Sequence, residues 1–492
     1  MNNKVAVLSV LVVSLIIVSS VAVVVINNNP KEEWKTECFT YKTYDNALKD
    51  NTEMPVYYSD GFFSHPSTEY NPDLMVFALS LELSCGYDPE DMKDKPTSVL
   101  GLLRDMGCGN AMVNEYFTKK PTMTSTAMAI GSKQIGDSTV IFLVLNGARY
   151  SSEFASNLMM GLEGDHKGFS ISRDDGLEFL RTFISDNGIT GKTKILVTGY
   201  SRTSAASNLI AAYLSDAIAE GKVHERIGNI DITKESVYGF GFSVPYCAYY
   251  DRTSGDPLPT DERYDNIWYT VNPDDVVPRL PPSSYGFARY GHIKSLPVRN
   301  DDAATKMLEY IAHYVGEDEV SMYDVSTFKD NPSEGIYTLG DMYRGFVNKF
   351  FKTLGTREHY AVDMEDDLSL ALFTIMSEDD LILDIFVEMG GTIQFVKDLI
   401  SHYGKGDYYD YFIQFVQPVC DRRGCPESAG AILHSIGYLT EVATEYADGN
   451  LLNLLLEPYF ISMVSNFNLL GLPHYPFVTL CYLMQESSLY DF

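Results

Sequence analysis

Positive charge is scarce in this chain. Its 492 residues carry 37 Lys and Arg against 67 Asp and Glu, a formal net charge of −30. No Lys/Arg cluster breaks the acidity, which excludes the basic face a nucleic-acid partner requires. The excess of carboxylates reads as a solvated, repulsive surface. Cysteine is also sparse, at seven residues. Cys420 and Cys425 have no second Cys or His pair near them in sequence, which argues against zinc. No EF-hand spacing supports calcium in the Asp-rich loops. Internal repeats and long low-complexity segments are missing, and with nine histidines the choice of a general base is short.

What the chain does have is apolar bulk. Hydrophobic content of 45% and aromatic content of 13% suffice for a large core, either one domain with insertions or two to three ordinary ones. Val5–Ile26 is an uncharged run behind Lys4, close to the roughly 20 residues that span a bilayer. It exceeds the roughly 7–15 apolar residues of a cleavable signal, although Ser20-Val21-Ala22 has the small-x-small form of a cleavage site. A retained anchor and a cleaved signal both export the remainder. The expected location is therefore extracytoplasmic, tethered through residues 5–26 or secreted. In an oxidising compartment Cys420 and Cys425 can close a small loop disulfide. The odd count leaves at least one thiol unpaired, and most of the others are expected as buried thiols.

The stretch Lys194–Asp216 organises the rest. Ile195-Leu196-Val197 is a short apolar strand buried on both faces. Ala205, Leu209, Ala212 and Tyr213 follow at helical spacing. Between them stands Gly199-Tyr200-Ser201-Arg202-Thr203. A serine on so abrupt a strand-to-helix turn is presented at the strand's end beside the helix N-terminus. The Arg202 backbone N–H is placed to meet an oxyanion. Ser138–Leu145 is a second strand, and Gly147 at its end is either an ordinary turn glycine or a point of close backbone approach that would make the Ala148 N–H a second oxyanion donor. Further strands are expected at Val237–Val244 and Asn266–Val271, and helices at Leu74–Leu83, Ser98–Met106 and Gly176–Asp186. This alternation implies a largely parallel sheet with right-handed crossovers.

Asn266–Val271 runs into Asn272-Pro273-Asp274-Asp275-Val276-Val277-Pro278-Arg279-Leu280-Pro281. A carboxylate just past the end of a parallel strand stands where catalytic groups gather and can orient a histidine. Of the two aspartates, one is expected to do this and the other to make an Asx-turn. The order Ser…Asp…His leaves His292, His313, His359, His402, His434 and His474 as bases. His474, on a loop flanked by Pro473 and Pro476, is the pick, since loops on a rigid scaffold carry catalytic groups disproportionately.

These segments resemble the class 3 lipase family, which includes the fungal triacylglycerol lipases, and more closely the bacterial and archaeal lipase family proteins with a large helical insert. The resemblance lies in Val197-Thr198-Gly199-Tyr200-Ser201-Arg202 with Ala205-Ala206-Ser207-Asn208-Leu209, in Asn272–Pro281, in His474-Tyr475-Pro476 and in Asn146-Gly147-Ala148. It implies an α/β-hydrolase fold, with Ser201 as nucleophile, Asp275 as acid, His474 as base, and Ala148 and Arg202 as oxyanion donors. No metal or organic cofactor is required. Three residues depart from the family pattern: Asn146 stands for Arg, Phe477 for Glu, and Thr203 for the small glycine of the turn, where extra bulk is expected to strain or crowd it.

From Tyr290 to Gly471 the pattern is helical, with segments at Ala303–Val315, Gly340–Phe351, Ser369–Ile375, Asp380–Glu388, Thr392–Ser401, Ala429–Ala447 and Asn450–Val464. A block inserted between acid and base is expected as a cap over the sheet's carboxyl edge, with Leu451–Leu456 in its core. The expected divisions are an anchor or signal with spacer (1–35), a hydrolase core (36–292), a cap (293–470) and a C-terminal segment carrying the histidine (471–492). The implied function is an exported serine hydrolase of lipid-type carboxylic esters. Alternatives are a thioesterase or acyltransferase, or a catalytically silent surface protein that binds a partner on the same fold.

Overall fold

The computed structural model describes residues 34–45, 50–86, 97–117, 119, 121–147, 151–250, 258–297 and 302–490. The expected anchor or signal at Val5–Ile26 lies outside them, as does Ala148. Among the described residues no helix is long and apolar enough to cross a membrane.

Among the described residues the central sheet has eight strands, seven of which follow one another across it in chain order. These seven are β1 (Met112–Val113), β2 (Met128–Ile135), β3 (Ser138–Leu145), β4 (Gly191–Tyr200), β5 (Val237–Phe242), β6 (Ile267–Val271) and β7 (His292–Ser295). Ile230–Asp231 pairs with β4 off this path. From β1 to β3 neighbours are antiparallel, and from β3 to β7 they are parallel. The expected α/β fold with a mostly parallel sheet is therefore present. Strand β3 shows why such strands read as continuous apolar runs. Val140, Phe142 and Val144 enter the core on one face, and Ile141, Leu143 and Leu145 enter the core on the other, the two-residue period of a strand buried on both sides.

Helices α2 (Lys167–Asp186) and α3 (Arg202–Ala219) cover one face through Leu177, Leu180, Ile210 and Leu214. Helix α1 (Pro72–Leu83), whose residues Leu74 to Leu83 are all buried, covers the other together with α5 (Pro476–Met484). Helix Asp302–Val315 packs on this same face. It was expected in the cap, but Ala304, Met307 and Ile311 give it an apolar stripe that the sheet side buries.

The remaining insert is helical. Its distal helices, Glu365–Ser377, Leu381–Glu388, Tyr408–Arg423 and Ser428–Tyr446, share a core of their own around Phe412, Val416 and Leu433. The insert meets the sheet domain where Phe351, Tyr360 and Met364 pack with Met160, Tyr285 and Phe287. A second junction is the start of α4 (Leu339–Leu354), whose Gly340 N–H donates to Asp274 Oδ1 at 2.9 Å. A Cβ on Gly340 would lie 2.4 Å from the Pro273 carbonyl oxygen, so the helix reaches the acid loop because that position has no side chain.

Several expectations needed correction. Asn450–Val464 is not one helix: a 3-10 segment, Leu451–Leu456, precedes a helix at Pro458–Ser465. Pro458 cannot continue an existing helix but suits a first turn, and the Glu457 side chain accepts the Phe460 N–H as its cap. Leu452, Leu455 and Leu456 are 64%, 67% and 76% exposed, outside the core expected for them. The small loop disulfide expected between Cys420 and Cys425 is not formed. Cys425 follows the left-handed Gly424 that ends helix Tyr408–Arg423, and its thiol donates to the Cys420 carbonyl. Helix α2 starts at Lys167, well before Gly176. The hairpin Thr36–Asp45/Asp50–Ser59 and strands β2 and β7 had not been expected.

Gly340→Val is expected to destabilise the protein by about 1–3 kcal/mol through overpacking at the acid loop, read as a fall in Tm. An unchanged Tm would show that α4 does not depend on this close approach.

Candidate functional site

Strand β4 ends at Tyr200 and α3 begins at Arg202, leaving Ser201 alone on the turn. Its backbone has φ 55° and ψ −127°, a region that costs a non-glycine residue of order 1–3 kcal/mol. Neighbouring backbone holds it there: the Ser201 N–H donates to the Phe242 carbonyl at 2.9 Å, and the Ser204 N–H donates to the Ser201 carbonyl at 3.0 Å. The Ser201 hydroxyl lies 2.8 Å from His474 Nε2, and His474 Nδ1 lies 2.8 Å from Asp275 Oδ2. These contacts bridge sequence separations of 273 and 199 residues. Ser201 is 4% exposed and Asp275 1%. The other five histidines considered lie elsewhere. His292, His359, His402 and His434 pair with Asp265, Asp363, Asp407 and Asp367, and His313 lies in helix Asp302–Val315 with its ring against Tyr314.

The histidine loop is tied down by its carbonyl groups. Tyr343 of α4 donates its phenol to the Leu470 carbonyl at 2.8 Å, Asn272 Nδ2 donates to Pro473 at 3.0 Å, and the Tyr200 phenol donates to His474 at 2.6 Å. Burial pushes both phenols' pKa values up, with the nearby Asp275 carboxylate adding to it, so both remain donors. The helical insert, the acid loop and the turn before Ser201 each hold one peptide of the segment that carries the imidazole.

The two aspartates divide their work differently from expectation. Asp275 faces His474 with one oxygen and accepts the Val277 N–H with the other at 2.9 Å, so it makes the Asx-turn itself. Asp274 accepts the Gly340 N–H of α4 and fastens the insert. The third member of this loop is Asn272, whose Oδ1 accepts the Asp274 N–H.

Thr203 does not crowd the turn. It is fully buried, and its hydroxyl lies 3.0 Å from the carbonyls of both Leu145 and Tyr200 while accepting the Tyr200 N–H at 3.3 Å. The extra atoms tie β3 to the turn. Arg202 points its side chain away from Ser201 into the protein, 1% exposed. There Nη2 donates to the Ser125 carbonyl and Thr126 Oγ1, and Nη1 donates to Ser156 and Ser172 Oγ, with Glu153 at 3.9 Å. Burial lowers the guanidinium pKa, opposed by Glu153 and Asp175. As the first helical residue, Arg202 keeps a backbone N–H outside the helix's own hydrogen bonds.

Reading the sequence missed Glu82. It lies in the last turn of α1, 4% exposed, and its Oε1 accepts the Gly147 N–H at 2.7 Å, one residue before Ala148. Burial pushes its carboxyl from 4.5 up to about 8, partly opposed by that N–H. The available signal was an acid among the apolar residues of Leu74–Leu83.

Two outcomes are expected. Thr203→Val should lower stability by about 1–3 kcal/mol in denaturant unfolding, because buried polar partners lose the hydroxyl; an unaltered midpoint would remove its bracing role. For Glu82, the folded chain keeps a proton that the unfolded chain releases above 4.5, so this group's contribution to stability falls as pH rises from 4.5 to about 8. Glu82→Gln, which does not titrate, should therefore gain stability relative to the parent between pH 5 and pH 8. An equal difference at both pH values would contradict the protonated state.

No family model matches the chain, and no curated protein matches it. Solved structures do. The Rhizomucor miehei lipase in its propeptide complex is 17% identical, with TM-score 0.28, covering 46% of this chain and 67% of that one. Lipase II of Rhizopus niveus is 16% identical, with TM-score 0.28, covering 48% and 80%. The lipase of Rhizopus microsporus var. chinensis is 15% identical, with TM-score 0.28, covering 55% and 80%. These are what the chain is similar to, over about half its length; a likeness this distant assigns it no activity.

Proposed function

We propose that the chain is a serine hydrolase of carboxylic esters, with Ser201 as nucleophile, His474 as base and Asp275 as the acid that orients it. The observation carrying this reading is the unbroken chain Ser201 Oγ–His474 Nε2 and His474 Nδ1–Asp275 Oδ2, each at 2.8 Å, with the serine at φ 55° on a strand-to-helix turn. In this mechanism Ser201 Oγ adds to the ester carbonyl carbon as its proton passes to Nε2. The tetrahedral intermediate then collapses, and the departing alkoxide takes that proton, leaving acyl-Ser201. Water repeats the two steps and releases the acid. Asp275 holds Nδ1–H and stabilises the imidazolium. The N–H groups of Arg202 and Ala148 receive the oxyanion. Every step is completed by the chain's own groups and water.

The proposed substrates are lipid-type esters, with the helical insert shaping their access. Because Ser201 is 4% exposed, entry requires the covering residues to move aside, a conformational step of the kind that gates many enzymes. Export through the apolar run at residues 5–26 belongs to the same proposal. A silent binder on this fold would be favoured by a sealed cleft or by Thr203 pushing Ser201 away from His474; the second does not occur, since Ser201 and His474 lie in hydrogen-bonding contact.

Hydrolysis of p-nitrophenyl esters of increasing acyl length by the full chain tests the reading. Ser201→Ala should cut kcat by at least about a thousandfold with Tm retained. Parental turnover in Ser201→Ala would overturn it.

A further inference from the structure

We propose that the helical insert holds a second site, separate from Ser201, for a quaternary ammonium group: a cavity walled by the rings of Tyr403, Tyr408 and Tyr438 with the Glu441 carboxylate beside them. The inference stands apart from the hydrolase reading, since no residue lining this cavity belongs to the triad or to the loops that carry it.

Three helices build the cavity. Thr392–Tyr403 ends there with Tyr403, and Tyr408–Arg423 begins there with Tyr408. Ser428–Tyr446 passes along it with His434, Gly437, Tyr438 and Glu441. Those four positions are spaced i, i+3, i+4 and i+7, which places them on one stripe of the helix. The volume is about 370 Å³, within the roughly 300–1,000 Å³ of small-molecule sites. Its walls are held in place. Tyr408 packs on the insert's own core, and its phenol lies across Gly437, where a Cβ would come within 2.6 Å of Cζ. The ring therefore takes this position because residue 437 has no side chain. Tyr403 and Tyr408 have centroids 5.8 Å apart and planes tilted by 46°, so they form a corner instead of a stack. His434 is fixed by Asp367, 2.9 Å from its Nδ1, and stacks on Tyr409.

The same insert shows what a tyrosine and a glutamate hold together. Lys349 Nζ stands 4.4 Å from the Tyr446 ring centroid and 3.0 Å from Glu457 Oε1. The cavity repeats this combination with three rings and Glu441. Among the described residues, however, no Lys or Arg pairs with Glu441 or stands over these rings. Burial pushes the three phenols' pKa values up, and the Glu441 carboxylate adds to it at each, joined at Tyr438 by Asp363 and Asp367. The cavity thus combines aromatic surface with negative potential and has no cation of its own, as recognition of a cation by aromatic rings requires. A primary ammonium is strongly hydrated and needs acceptors for its three hydrogens. A divalent metal ion needs several oxygen ligands, and no cluster of that kind occurs among the described residues. A trimethylammonium group has no N–H to satisfy, so rings and one carboxylate suffice for it.

Calorimetric titration of the full chain with choline, and with its uncharged isostere 3,3-dimethylbutan-1-ol, tests the site. Choline should bind saturably and about tenfold or more tighter than the alcohol. Glu441→Gln, at an exposed position, and Tyr403→Leu, at a half-buried one, should each weaken choline by about fivefold or more with Tm retained. Ser201→Ala should bind choline as the parent does, so failure of this site and failure of the hydrolase reading remain distinguishable. The source of the ammonium is read by titrating Ser201→Ala, which spares any ester, after incubation with phosphatidylcholine vesicles. Loss of choline binding there supports the site as one for a lipid headgroup, and retained binding supports it as one for a free solute. Absence of saturable choline binding, equal affinity for choline and the alcohol, or parental affinity in Glu441→Gln overturns the proposal.

Discussion

The site depends on one imidazole that must satisfy two partners at once. His474 meets Ser201 through one ring nitrogen and Asp275 through the other, both at 2.8 Å, and the three residues come from distant parts of the chain. A ring rotation of a few tens of degrees would break both contacts, so the backbone carrying it has to be fixed. Carbonyl groups from Leu470 to His474 provide the handles, and the donors that take them come from the insert, the acid loop and the turn before Ser201. This explains why the insert docks at Asp274 next to the acid. The same short loop then holds α4 with Asp274, His474 with Asp275 and the Pro473 carbonyl with Asn272.

Two buried ionisable groups frame Ser201 and are stabilised in opposite ways. Arg202 keeps its charge in the interior by giving its guanidinium hydrogens to a carbonyl and three hydroxyls, with Glu153 nearby, as a buried cation requires. Its side chain fixes the start of α3 and leaves its backbone N–H for the site. Among the described residues Glu82 has no such set of partners, and burial pushes its carboxyl toward the neutral form. The strain at Ser201 is carried by this surrounding structure: Thr203 laces β3 to the turn, and Ser204 and Phe242 hold the serine's own peptide groups. Strain at a functional position persists where neighbours over-determine it.

Much of this was legible in the sequence because it is local. An apolar run followed by Gly199-Tyr200-Ser201-Arg202 and helical spacing marks a strand, turn and helix without tertiary information. Of the residues that the structure brings together, Ser201 and His474 had been selected from strand ends, loops and chain order, whereas position left Asp274 and Asp275 open and only the family resemblance pointed to Asp275. What escaped was non-local. Thr203 looked too large because one of its hydroxyl partners, the Leu145 carbonyl, lies on another strand. The division of labour between Asp274 and Asp275 depends on a helix that starts 65 residues later at Leu339, the partner Gly340 being 66 away. Glu82 resembled a stray polar residue in a core helix, since its partner at Gly147 is likewise 65 positions away. Leu452, Leu455 and Leu456 read as core because composition cannot show that their segment lies at the surface. Periodicity did not separate Asp302–Val315 from the cap, because an apolar stripe is the same whichever partner buries it.

Labelling of the full chain by a fluorophosphonate, with the modified peptide identified by mass spectrometry, tests the activated serine most directly. A single adduct on Ser201 in the parent, lost in His474→Ala while the fold is retained, is the predicted result. A folded parent that stays unlabelled, or a His474→Ala variant that labels at the parental rate, would contradict it.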